Sequence, residues 1–111
     1  MVVYFRTNKL KKQCEVPKEG DRAWGQPCAN RLRQRLAELQ AATNLSEVSR
    51  LPPARCHELI GDRAGQLSID LRHPYRLLLI PANDPVPRKT DGGLDWDAVT
   101  EIEIFEIADT H

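Results

Sequence analysis

Aromatic residues are scarce in this 111-residue chain, with two each of Trp, Tyr and Phe. Its three cysteines, Cys14, Cys28 and Cys56, are odd in number, far apart and without C-x-x-C spacing. That pattern argues against a disulfide framework and against a zinc site, and leaves buried reduced thiols as the expectation. No apolar run approaches the ~20 residues of a membrane span, and the opening MVVYFRTNK lacks a cleavable-signal pattern, so a cytoplasmic protein is expected. There is no internal repeat and no low-complexity tract. Net charge is absent too, with 16 Lys and Arg against 16 Asp and Glu. The balance hides an asymmetry: residues 1–63 carry 12 basic against 7 acidic side chains, and residues 64–111 carry 4 against 9. A basic first half suits a phosphate-bearing partner.

What the chain has is concentrated between Arg55 and Pro81. Cys56 to Ile60 reads as a strand, and Gly61-Asp62-Arg63-Ala64-Gly65 as a turn with glycine at both ends. Gln66 to Arg72 alternates Leu67, Ile69 and Leu71 with Ser68, Asp70 and Arg72, the period of a half-buried strand. After the break at His73-Pro74, Tyr75 to Ile80 is almost continuously apolar, as in a strand covered on both faces, with Arg76 the anomaly.

The remaining elements fit one domain over residues 1–111. Val2 to Arg6 reads as an edge or second-layer strand, followed by a short helix through about Cys14 capped by Thr7 or Asn8. Glu15 to Gly20 reads as a loop. Arg22 to Thr43 is the main helix, with Ala29, Leu32, Leu36 and Leu39 as its buried stripe, Arg31, Arg33, Arg35 and Glu38 on its surface, and a weak start at Gly25 and Pro27. Ser46 to Arg50 reads as one further turn, and Asn83 to Gly93 as an exposed loop. A helical turn within Leu94 to Val99 follows Asp95, and Thr100 to Ala108 is the last strand, buried on both sides or bulged. The predicted class is α+β, in the order β-α-α-β-β-β, with a small, mostly antiparallel sheet, helices on one face and the other face open for a site.

Arg72 and Arg76 carry polar chemistry toward that face by residue parity, His57 stands at the start of a strand beside Arg55 and Glu58, and Asp109 and His111 end the chain. Two imidazoles and two arginines, with no carboxylate pair and no metal-ligand spacing, suit RNA phosphodiester cleavage. One imidazole removes the 2′-hydroxyl proton, another protonates the leaving oxygen, and arginine stabilises the phosphorane. No cofactor or metal is required.

The run RCHELIGDRAGQLSIDLRHPYRLLLIPANDPVPRKTDGGLDWDAVTEIEIFEIADTH resembles the HigB-type toxins of the RelE/ParE superfamily, the plasmid-maintenance killer proteins. RLRQRLAELQAATNLSEV is similar to the helix that precedes this run in them. The resemblance implies a microbial-ribonuclease-like RelE fold and a ribosome-dependent mRNA endoribonuclease that inhibits translation. It also implies neutralisation by a HigA-type helix-turn-helix antitoxin. By motif, the catalytic positions are His57, Arg72, Arg76, Asp109 and His111. Two departures stand out: Ile60 where relatives have Lys, and Thr110 where they have Tyr. Arg55 or Arg63 could reach the space that Lys would occupy, so Arg55, Arg63 and Thr110 are the expected RNA-binding positions. Arg31 and Arg35, one helical turn apart, are expected to face an acidic or amphipathic antitoxin segment. The alternatives are a ParE-like gyrase poison and a catalytically decayed toxin that only binds its antitoxin.

Overall fold

A computed structural model describes residues 1–109, so Thr110 and His111 and the roles expected of them lie outside the described residues. The chain opens with strand β1 (Val2–Phe5) and three helices, α1 (Asn8–Glu15), α2 (Pro17–Trp24) and α3 (Gln26–Ala41). Strands β2 (His57–Glu58), β3 (Leu67–Asp70), β4 (Tyr75–Pro81) and β5 (Glu101–Asp109) follow. They form one sheet in the order β1-β5-β4-β3-β2, in which β1 runs parallel to β5 and every other pair is antiparallel.

The α+β class and the mostly antiparallel sheet agree with the sequence reading, and the structure adds one helix and one strand to the predicted order. Glu15 to Gly20 is not a loop. Val16 caps α1 and leads into Pro17, which starts α2, because proline is tolerated at a first helical position whose N–H would be unpaired anyway. Gly20 sits where α2 passes close to α1: a Cβ there would lie 2.7 Å from the Gln13 carbonyl oxygen. The long helix expected from Arg22 is divided at Gly25, whose φ of 81° ends α2 and turns the chain into α3. Thr7 caps α1 by accepting from the Leu10 N–H at 3.0 Å.

The α3 stripe Ala29, Leu32, Leu36 and Leu39 is buried, as are Leu67, Ile69, Leu77, Leu79, Ile102 and Ile104 on the sheet face that these helices cover. Cys14, Cys28 and Cys56 are free and buried. Strand β5 carries a bulge: Leu79 pairs with Ile104 and Leu78 with Glu106, leaving Phe105 as the extra residue. The bulge resolves the two-sided apolar pattern of this strand, since it returns Ile107, opposite Leu77, to the same side as Ile104.

Arg35 departs from its expected surface position. It is 3% exposed, and its Nη1 donates to both Glu38 carboxylate oxygens at 2.8 and 3.2 Å. A surface formed by Arg31 and Arg35 together is therefore absent, because α3 turns the second guanidinium inward beside Val48 and Ala54, which line the same cavity.

Candidate active site

Pairing across the sheet assembles the uncovered face from four strands. One row runs His57, Ser68, Leu78, Glu106, each residue opposite the next, and the neighbouring row runs Asp70, Arg76, Ala108. Ser68, Leu78 and Ala108 are buried and form the floor, whereas His57, Asp70 and Arg76 are half-buried and Glu106 is exposed. The Ser68 hydroxyl is buried with no hydrogen-bond partner among the described residues.

The charged groups on this face are already interlocked. Arg55 grips Asp70 in a two-pronged contact, Nε to Oδ2 at 2.8 Å and Nη2 to Oδ1 at 3.2 Å, and Arg76 Nε stands 3.9 Å from Asp70 Oδ1. The Asp70 carboxylate raises the Arg55 pKa, first through its hydrogen bonds and then through its charge. Arg63 lies 3.9 Å from Glu106 and donates to Gln66 at 3.1 Å. His57 Nδ1 donates to the Arg55 carbonyl at 2.7 Å.

Of the positions expected from sequence, His57, Arg55, Arg63 and Arg76 come together on this face. Arg72 is exposed at the turn after β3, and its backbone N–H and its charge both act on Cys28 of α3, partly opposing the rise in thiol pKa caused by burial. Asp109 is the last residue of β5, opposite Tyr75 and one position beyond the Arg76–Ala108 pair, so strand alternation turns it to the other side of the sheet. Ile60 is 88% exposed at the start of the Gly61–Arg63 turn.

Asp70 and Glu106 were not singled out from sequence. From sequence Asp70 is one more solvent-side residue of an alternating strand, and the parity of Glu106 is hidden by the bulge at Phe105. Among the described residues, no group of three or more His, Cys, Asp or Glu is arranged to hold a metal ion, and no helix is long and apolar enough to cross a membrane.

The five-stranded, mostly antiparallel sheet with its helices on one face is a fold shared with a solved toxin structure. Among solved structures the chain is similar to a YoeB/ParE toxin from Agrobacterium tumefaciens, with a TM-score of 0.60 over 100% of both chains at 9% identity. At that identity the likeness is one of fold. No family model matches the chain, and no curated protein does.

Proposed function

We propose that this chain is the toxin of a type II toxin–antitoxin pair and that it cleaves messenger RNA on the ribosome with its uncovered sheet face. The observation that carries the reading is the grouping of His57 with Arg55, Arg63 and Arg76 on that face, drawn from separate strands and turns of a toxin-like fold. In this reading His57 removes the 2′-hydroxyl proton and that oxygen attacks the adjacent phosphorus. Arg76 stabilises the phosphorane charge, and His111 protonates the departing 5′-oxygen. Thr110 contacts the flanking base. The step needs no cofactor. The partners are a HigA-type helix-turn-helix antitoxin, the ribosome and mRNA, all in the cytoplasm.

A second reading has support of its own. Arg55, Arg63 and Arg76 each have a carboxylate within 4 Å, and an exposed Ile60 stands where the toxins this chain resembles have lysine. Both features suit a decayed toxin that retains antitoxin binding. Expression without the antitoxin, followed by mapping of mRNA 5′ ends and a DNA supercoiling assay, separates the readings. Codon-phased new ends on translated messages support the nuclease. Loss of supercoiling indicates a ParE-like gyrase poison, and neither effect, with antitoxin binding retained, indicates the decayed module.

A further inference from the structure

We infer that Arg55 is a positioning residue that fixes the working nitrogen of His57 with its backbone and the aim of Arg76 with its side chain. The inference rests on the nuclease reading for its functional consequence, while its structural content stands apart from that reading.

Among the described residues, Arg55 is the one non-glycine residue with positive φ, 50°. A Cβ makes this conformation unfavourable for every residue but glycine, so it persists only where surrounding contacts over-determine it. Those contacts are present: the Arg55 N–H donates to the Leu51 carbonyl at 2.9 Å, the Cys56 N–H to Ser49 at 2.9 Å, and the Asp70 N–H to the Ala54 carbonyl at 2.8 Å. The fork from Arg55 to Asp70 closes the same loop from the side-chain end.

The conformation has a chemical result. It presents the Arg55 carbonyl to His57 Nδ1 at 2.7 Å. A carbonyl oxygen can only accept, so Nδ1 carries the hydrogen, and neutral His57 keeps its lone pair on Nε2. Proton uptake and proton return are then both confined to Nε2. The side chain acts on a second group: by holding both oxygens of Asp70, Arg55 fixes the carboxylate that stands 3.9 Å from Arg76 Nε, directly across the β3–β4 pair. One residue thus couples the proton-transfer group to a phosphate-binding candidate.

Arg55→Ala and Arg55→Gly separate the two contributions. Both remove the fork, but only glycine holds positive φ without strain. Long-range ¹⁵N–¹H NMR of the full chain should show the Nδ1–H tautomer of His57 in the wild type and in Arg55→Gly. Arg55→Ala should lose it as the backbone relaxes. Cleavage on translating ribosomes should fall roughly 10²- to 10⁴-fold in Arg55→Ala, as for a catalytic histidine in the wrong tautomer. The loss should be smaller in Arg55→Gly, where only the aim of Arg76 is disturbed, and Asp70→Asn should match the Arg55→Gly loss.

A folded Arg55→Ala protein that keeps the Nδ1–H tautomer overturns the proposal. If Arg55→Ala does not fold, retention of full cleavage by Asp70→Asn and by Arg55→Gly overturns it instead. A tautomer that shifts as described in a chain whose wild type cuts no RNA supports the positioning and refutes the nuclease reading.

Discussion

Arg35 of helix α3 lies 3% exposed with its Nη1 bonded to both oxygens of Glu38, while its Nε and Nη2 are buried with no hydrogen-bond partner among the described residues. The guanidinium is desolvated on one side and compensated on the other by a carboxylate that is itself about half exposed. Removing only the partner leaves a buried charge uncompensated, whereas replacing the charge with an apolar chain of similar volume removes the desolvation problem along with the pair. Glu38→Ala should therefore destabilise by roughly 1–3 kcal/mol, and Arg35→Met by less than about 1 kcal/mol. Urea unfolding of the two variants checks the order, and a larger loss for Arg35→Met would show that the ion pair stabilises on balance.

Leu36 is 7% exposed in the stripe that α3 lays on the sheet. Its truncation to alanine should cost about 2–5 kcal/mol, the sum of lost transfer energy and a cavity that the sheet side cannot close. A loss below about 0.5 kcal/mol in urea unfolding would mean that the stripe does not carry the helix–sheet contact.

Burial pushes the Cys14 and Cys56 thiols up to about 12 from an ordinary value of 9.0. In the native chain both should resist alkylation at neutral pH and react promptly in denaturant, because the thiolate is the nucleophile. The folded state holds the protons more tightly than the unfolded state. The resulting stabilisation is complete below about pH 9 and is lost as pH rises from 9 toward 12. Equilibrium unfolding across that range should show falling stability, with a weaker fall in a Cys14→Ala, Cys56→Ala protein.

The parts of the fold that local pattern determines were legible in the sequence. Leu67 and Ile69 alternate, Leu32, Leu36 and Leu39 keep helical spacing, and Gly61 and Gly65 mark a turn where both have positive φ. Helix α2 was not legible, because its Pro17 and Gly20 are turn residues by composition, and only the approach of α1 explains a helical glycine there. Arg35 was misplaced for a related reason, since a charged residue on a helix reads as surface until a segment far along the chain covers it. The site was legible in part. His57 and Arg76 were visible as polar interruptions of strands, but Asp70 acquires its meaning from Arg55, 15 residues earlier, and no local spacing announces that contact.

Ile60 is almost fully exposed, so replacing it disturbs no packing. If the lysine of the resembled toxins supplies a charge-assisted contact to the transition state, Ile60→Lys should raise mRNA cleavage by about 10²–10³ without changing the urea midpoint. An unchanged rate, together with a lowered rate in Arg63→Ala, would mean that Arg63 already supplies that charge.

In the proposed function His57 transfers protons at an RNA phosphodiester on the uncovered sheet face. The most direct test of that role is the rate of mRNA cleavage by His57→Gln in a reconstituted translation system, with folding checked by circular dichroism and antitoxin binding by titration. The expected loss is about 10²- to 10⁴-fold with fold and antitoxin affinity unchanged. Cleavage at the wild-type rate by a folded His57→Gln protein would contradict it.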